Sequence, residues 1–200
     1  MRLTLVWQGP VGAGLFPDDQ TALEALRGPG VYLRIKSYGR GRTVSYVGQS
    51  RHLLTRIDQH LTAMLSLQTP LRDDDARTIF SGDAGARLAA YGDIRTAAGA
   101  AAAEVLRTRF YVALCDEDFA PERLDLVEGA LKARLEQRIA AGAGPLACEN
   151  VQGISADPFA DIAEIAQDTG VLAPRDAEIV ARALGTEPIR VDAALAGTDP

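Results

Sequence analysis

The sequence predicts an α+β fold, because a β-hairpin is followed by a helix and, further along the chain, a strand is followed by a second helix. Residues 31–36 alternate apolar and polar side chains, which is typical of a strand with one buried face. Gly39 and Gly41 indicate a turn, and residues 43–48 form the returning strand. Ser50 is a candidate N-cap for a helix that continues to about residue 66 with one apolar stripe.

The second half of the chain is less regular. Residues 109–115 form an apolar run typical of a buried strand, and Pro121 begins a helix whose apolar positions continue to Ile139. Between the two halves, residues 68–103 are interpreted as an inserted helical or irregular region. After residue 154 the pattern changes to short amphipathic helices, near residues 158–169 and 175–184, with an excess of acidic side chains. We therefore expect one domain over residues 1–154 and an acidic helical extension over residues 155–200.

The composition of the 200 residues, 47% hydrophobic and 24% charged, is that of an ordinary globular protein and excludes a disordered tail, a collagen or a coiled-coil rod. No apolar run approaches the roughly 18 residues that a membrane helix needs, and the first residues lack the apolar region of a secretory signal. Two cysteines cannot form a disulfide framework, and no CxxC or HxxxH pair indicates zinc. We expect a cytoplasmic protein with reduced thiols and no membrane partner.

Positive charge is concentrated in one segment of an otherwise acidic chain. Residues 27–60 contain seven basic side chains and a single acid, a net charge of +6 in a chain whose total is −6. Such a block predicts an anionic partner such as nucleic acid, although a solvated ribbon kept soluble by its arginines would show the same pattern. The candidate nucleic-acid-binding residues are Arg34, Lys36, Arg40, Arg42, Ser50 and Arg51.

Several side chains of the hairpin and the following helix could carry chemistry. His52, Arg56 and His60 lie four residues apart, hence on one face of the predicted helix, which is either a ligand-binding face or a solvated one. Tyr32 shares a strand face with the basic side chains, and Tyr46 lies at the end of the neighbouring strand. Tyrosines at such positions also pack across strands, so both interpretations stay open.

Glu128 lies at the edge of the core-facing stripe of the later helix. A carboxylate at the edge of a core is costly to bury unless it is paired or bound to a cation. The alternatives are a metal ligand and an edge residue that reaches water or pairs with an arginine such as Arg109.

Together these residues resemble the GIY-YIG nuclease family over roughly residues 28–150. The two signature tripeptides correspond to Gly30-Val31-Tyr32 and Tyr46-Val47-Gly48, and Arg56 and His60 follow at the family's spacing. Glu128 matches the family's metal-binding glutamate, and Asn150 its late asparagine. Valine replaces isoleucine in both tripeptides, Thr55 stands where some members have a basic residue, and residues 68–103 have no counterpart.

The resemblance implies a small three-stranded antiparallel sheet flanked by helices, and a metal-dependent endonuclease that hydrolyses phosphodiester bonds. Its substrate would be DNA, with RNA as an alternative, and its cofactor Mg²⁺, with Mn²⁺ as a substitute. The implied roles are general base for Tyr32, orientation of water or phosphate for Tyr46, phosphate binding for Arg56, proton relay for His60, metal binding for Glu128, and organisation of the site for Gly48 and Asn150.

Two further expectations accompany the resemblance. A scaffold of this kind could also serve as a catalytically inactive module that binds nucleic acid or protein, and the acidic pI of about 5.0 favours that alternative. The acidic C-terminal helices are a candidate homodimer interface, an autoinhibitory cover or a docking site for a partner.

Overall fold

The fold is organised around a mixed sheet of seven strands that is curled into a half-barrel. The computed structural model describes residues 1–150 and 161–192. Over those residues the strands are β1 (Arg2–Val11), β2 (Gly30–Ser37), β3 (Thr43–Ser50), β4 (Leu71–Arg72), β5 (Thr78–Phe80), β6 (Thr108–Leu114), β7 (Ala147–Cys148), β8 (Glu164–Asp168) and β9 (Ile189–Arg190). The helices are α1 (Gln20–Ala25), α2 (Leu53–Leu65), α3 (Ala84–Ala90), α4 (Ile94–Leu106), α5 (Pro121–Ala140) and α6 (Pro174–Leu184).

The expectation of a small three-stranded antiparallel sheet is wrong. The main sheet has the strand order β7-β3-β2-β6-β1-β8-β9, with parallel pairing of β3 with β7 and of β1 with β8. The predicted hairpin is confirmed as β2 and β3, and the predicted strand at residues 109–115 is confirmed as β6. Strand β2 pairs antiparallel with both β3 and β6 within this larger sheet. The sheet is larger because β1 and β8, at opposite ends of the chain, extend it beyond β6.

The C-terminal residues contribute to the same sheet and core. The segment predicted as a helix at residues 158–169 contains β8 instead, whose Ile165 pairs with Leu3 of β1 and is fully buried. A five-residue segment is too short for its periodicity to distinguish a strand from a helix. Its pairing with β1 therefore determines that it forms a strand. Residues 158–160 lie outside the described residues. The second predicted helix is confirmed as α6, and its Val180 and Leu184 are buried in the core of the protein.

Both faces of the central strands are covered. Val31, Leu33 and Ile35 of β2 belong to one apolar cluster with α5 and α6. Tyr32 of the opposite face lies in a second cluster with α2, and α4 packs beside α2. The interpretation of β2 as a strand with one exposed face is therefore wrong, and every residue of β2 from Gly30 to Lys36 is buried.

The inserted region forms definite structure. Residues 68–103 contain the small β4–β5 hairpin, α3 and most of α4. Contacts of α4 with α2 place the insertion over the face of β2 that carries Arg34 and Lys36. No helix in the described part of the chain is long and apolar enough to span a membrane.

Candidate active site

The two tyrosines of the hairpin meet at the point where β2 and β3 pair closely. Tyr32 is the register partner of Gly48, and a Cβ atom at position 48 would collide with the Tyr32 ring. The Tyr32 ring stacks on Tyr46, with centroids 5.9 Å apart and planes inclined by 21°. Glycine at position 48 thus allows the buried phenol of Tyr32 to cross the neighbouring strand and reach Tyr46.

His60 of α2 completes this group. Its Nε2 atom lies 2.6 Å from the Tyr32 hydroxyl, and its Nδ1 atom accepts a hydrogen bond of 2.8 Å from Nη1 of Arg34. Its ring also packs edge-on against Tyr46, 5.2 Å between centroids. Burial, followed by the charges of Arg34, Arg56 and Lys36, lowers the pKa of His60 to about 3, so the imidazole is neutral at pH 7.

Arg34 is fixed by a carboxylate that no sequence motif indicated. Its Nη2 atom donates to Oε2 of Glu149 at 2.6 Å, and Lys36 Nζ lies 3.1 Å from the same oxygen. Lys36 also forms an ion pair with Glu104 of α4, 3.0 Å from Nζ to Oε1. Burial would raise the pKa of Glu149, but Lys36 and Arg34 outweigh it and hold that pKa below its usual range.

This network changes the role available to the basic segment. Arg34 and Lys36 were expected at a nucleic-acid interface, but only 4% and 0% of their surface is exposed. Both are neutralised within the protein because Glu104 and Glu149 cover this face of β2. They therefore offer no surface to a phosphate backbone in this structure.

The other four basic-segment candidates lie nearer the surface. Arg40 and Arg51 are exposed, whereas Arg42 forms an ion pair of 3.0 Å with Asp75. Ser50 accepts a hydrogen bond from the backbone N–H of His52. The N-cap of α2 is His52, whose Nδ1 accepts from the Thr55 N–H, so the expectation of Ser50 as N-cap is wrong.

Arg56 is the exposed cation of the site. It lies one helical turn before His60 on α2, and its Nη1 atom donates to the Gln59 side chain at 3.1 Å. Its positive charge partly opposes the rise in the pKa of Tyr32 and of Glu128 that burial causes, and it adds to the lowering of the pKa of His60 by burial and Arg34.

Glu128 is half-buried on α5 and is the only carboxylate among the predicted site residues. Burial and, next, the charge of Asp125 raise its pKa, while Lys132 and Arg56 lower it. A hydrogen bond of 3.0 Å from Gln49 to Asp125 joins this part of α5 to β3. Within residues 1–150 and 161–192, Glu128 makes no ion pair and no group of three or more His, Cys, Asp or Glu side chains could hold a metal.

A single carboxylate suits only a hard divalent cation that keeps most of its water. Mg²⁺ typically takes one or two protein carboxylates and completes its octahedron with water and substrate oxygens. A partly desolvated carboxylate without an ion-pair partner among the described residues matches that requirement, with Glu128 as the residue that would hold the ion.

Tyr32 is not acidified by its neighbours, contrary to the expectation for a general base. Burial and then the Tyr46 phenol raise its pKa, and this outweighs the lowering by Arg56 and Arg34. The side chain is therefore a neutral phenol at pH 7. Desolvation outweighs the charges of Arg56 and Arg34 because the ring is completely enclosed between the strands and α2.

Asn150 occupies the edge of β3 beside the site. Its side chain accepts a hydrogen bond of 3.0 Å from the Val47 N–H and donates one of 2.6 Å to the Val47 carbonyl. Strand β7 pairs with β3 only at Val44 and Ser45. The Asn150 amide thus continues the edge pairing to Val47, between Tyr46 and Gly48.

Glu149, Glu104 and Arg72 are the polar residues of this region that sequence reasoning missed. Arg72 lies 3.5 Å from Oε1 of Glu149, and Glu104 follows an alanine-rich stretch without a local motif. The only available signal was the position of Glu149 immediately before Asn150.

Comparison of the chain with protein-family models, with curated proteins and with solved structures gives no match.

Proposed function

We propose that this protein is a metal-dependent endonuclease that hydrolyses phosphodiester bonds in DNA. The observation that carries the proposal is the cluster in which the Tyr32 ring stacks on Tyr46 and the Tyr32 hydroxyl lies 2.6 Å from His60, one helical turn from the exposed Arg56. Two phenols and an imidazole beside an exposed cation are suited to an anionic substrate that needs an activated water. The two tripeptides of the hairpin support the same reaction.

Each of these side chains has a task in such a hydrolysis. Arg56, exposed and permanently charged, binds two oxygens of the phosphate. Hydroxide from solvent first takes the proton of the Tyr32 phenol. The oxygen of a water then attacks phosphorus while the bond from phosphorus to the leaving oxygen breaks, the water proton passes to the Tyr32 phenolate, and the leaving oxygen takes a proton from solvent. The half-buried Tyr46 orients the water or the phosphate through its hydroxyl.

Glu128 would hold a divalent cation at the same site. The chemistry that a bound Mg²⁺ supplies there is neutralisation of charge on the phosphate and leaving oxygens. Asn150 keeps β3 in place beside the site and does not react.

The test is cleavage of supercoiled plasmid by purified protein with Mg²⁺. Arg56→Ala and Glu128→Gln are expected to lower the rate by at least about 10²-fold, because each removes charge that the transition state requires. Arg95→Ala on α4 and Glu136→Gln on α5 replace exposed residues of the same types and are expected to cut like wild type. Full activity of either site variant, or unchanged activity in excess chelator, would remove that component from the mechanism.

A catalytically inactive nucleic-acid or protein module is the second candidate. The observation that favours it is the internal neutralisation of Arg34 and Lys36, together with a Tyr32 phenol that stays protonated at neutral pH. Labelled single- and double-stranded DNA and RNA, assayed for both binding and cleavage, distinguish the two functions. Binding without cleavage by wild-type protein over pH 6–10 would favour the module.

A further inference from the structure

We propose that Arg34, anchored by Glu149, fixes His60 as the tautomer protonated on Nε2, so that His60 donates a hydrogen bond to the Tyr32 oxygen. Arg34 and Glu149 are then positioning residues for the site. The catalytic meaning of this arrangement rests on the proposed nuclease function, whereas the tautomer itself can be measured without any activity.

The direction of each hydrogen bond follows from the chemistry of the guanidinium group. An arginine side chain has N–H donors and no acceptor, so the 2.8 Å contact between Arg34 Nη1 and His60 Nδ1 requires Nδ1 to accept. A neutral imidazole that accepts at Nδ1 carries its proton on Nε2. The 2.6 Å contact with Tyr32 is therefore donated by His60 Nε2–H to the phenol oxygen.

The guanidinium cannot easily turn away from His60. Arg34 is buried, and its second terminal nitrogen is held by Glu149 Oε2 at 2.6 Å. Glu149 is held in turn by Lys36, 3.1 Å from Oε2, and by Arg72, 3.5 Å from Oε1. Four charged groups from three parts of the chain, Arg34 and Lys36 on β2, Arg72 on β4 and Glu149 after β7, thus determine one hydrogen bond at the site.

A doubly protonated His60 would break this arrangement. An imidazolium places an N–H on Nδ1, facing the N–H of Arg34, so two donors would oppose each other. The charged groups around the ring are Arg34 and Lys36 from β2 and Arg56 from α2, all positive, and the remaining polar neighbours are the phenols Tyr32 and Tyr46. Both the hydrogen bonding and the charges keep His60 neutral.

This geometry assigns His60 a role other than the proton relay that the sequence suggested. Nδ1 is occupied by Arg34 and Nε2 already carries a proton, so neither nitrogen is free to accept the Tyr32 proton. Instead the Nε2–H group, polarised by Arg34 behind it, stabilises negative charge on the Tyr32 oxygen once that phenol ionises.

The test is ¹⁵N NMR of the imidazole rings, which is simple because the chain has only two histidines and His52→Gln identifies the His60 signals. We expect an unprotonated Nδ1 and a protonated Nε2 whose shifts stay constant from pH 8 to pH 5. A protonated Nδ1, or titration of His60 near pH 6.5, in wild-type protein would overturn the proposal.

Two variants test the anchoring. Arg34→Met removes the donor, and Glu149→Gln keeps the shape but removes the anchoring charge. Both are expected to give mixed His60 tautomers and a kcat at least about tenfold lower at unchanged KM, since a lost preorganised donor costs up to about 10²–10³. Arg34→Lys, which restores a cationic donor, is expected to recover part of kcat.

The readouts separate failure of this inference from failure of the proposed function. If Arg34→Met is folded by circular dichroism and keeps a single Nε2–H tautomer, the anchoring role is wrong. If wild-type protein shows the expected tautomer but cuts no nucleic acid, the nuclease function fails while the positioning of His60 stands.

Discussion

Tyr32 lies directly against Gly48, its register partner on the neighbouring strand, and the space of a Cβ at position 48 is already filled by the phenol ring. Gly48→Ala must therefore displace Tyr32 or separate β2 from β3. We expect a decrease of about 1–3 kcal/mol in the free energy of unfolding, the usual cost of overpacking a core, and loss of cleavage. Urea denaturation and the plasmid assay measure the two effects.

Gly99→Ala is the matched control for this substitution. Gly99 lies within α4 with open space around it, so the added methyl group is expected to stabilise the helix by up to about 1 kcal/mol. Equal stability of Gly48→Ala and wild type would show that the Tyr32 ring is not confined by β3.

The buried charge of Glu104 gives a second prediction. This carboxylate is completely enclosed, lies 3.0 Å from Lys36 Nζ and accepts a hydrogen bond of 2.8 Å from the Tyr38 hydroxyl. Glu104→Gln removes the negative charge and leaves Lys36 with Glu149 alone. We expect a loss of about 3 kcal/mol in unfolding free energy, since breaking a buried ion pair typically costs about 3–5 kcal/mol.

A double variant shows whether this loss reflects the ion pair. Lys36→Met combined with Glu104→Gln removes both charges, and its cost is expected to be smaller than the sum of the two single costs. Glu122→Gln, at an exposed position of α5, controls for the chemical change and is expected to stay within about 0.5 kcal/mol of wild type. Additive single costs would contradict the pairing.

The hairpin was predictable because its signals are local. Alternation over residues 31–36, the glycines of the turn and the apolar stripe of α2 each lie within one short window. The remainder of the sheet is not local: β1 pairs with β8 from the other end of the chain, in the register Leu3 with Ile165. Alternation of Leu3, Leu5 and Trp7 indicates a strand, but no window contains its partner.

The difference between local and distant contacts also explains why Arg34 and Lys36 were expected on an exposed face. Arg34 and Lys36 alternate with apolar residues, and such a pattern usually indicates a solvated face because charged side chains are seldom buried without partners. Their partners, Glu104 and Glu149, lie about 70 and 115 residues away in sequence. Only the fold brings these four groups together, so the role of Arg34 could not be derived from the sequence.

The pH dependence of cleavage gives a third prediction. Burial and Tyr46 raise the pKa of Tyr32, so the phenolate fraction increases about tenfold per pH unit throughout the neutral range. If the ionised phenol accepts the water proton, log kcat should increase with a slope near one from about pH 6 to pH 9 without a plateau. Steady-state kinetics at constant ionic strength measure this slope.

Two tyrosine variants control for hydroxide in solution, which would produce the same slope. Tyr32→Phe is expected to abolish cleavage at every pH, whereas Tyr91→Phe, at an exposed position, is expected to keep both rate and slope. A rate independent of pH, or a maximum near pH 6.5, would exclude Tyr32 as the group that ionises.

The lowered pKa of His60 predicts how acid destabilises the fold. In the unfolded chain this histidine takes up a proton near pH 6.5, but in the folded protein burial and the charges of Arg34, Arg56 and Lys36 delay protonation to about pH 3. Between these values the unfolded state binds more protons, so stability is retained above pH 6.5 and decreases as the pH falls toward 3. The contribution is up to about 1.4 kcal/mol per pH unit.

His60→Gln removes this titration while keeping one acceptor for Arg34 and one donor for Tyr32. Urea denaturation at pH 7, 6 and 5 should therefore show a shallower loss of stability for His60→Gln than for wild type, whereas His52→Gln should leave the wild-type slope unchanged. The lowered pKa of Glu149 adds the same amount to the free energy of unfolding of all three proteins, so it cancels from the comparison. Parallel curves for wild type and His60→Gln would mean that His60 is protonated as readily in the folded protein as in the unfolded chain, which the contact with Arg34 forbids.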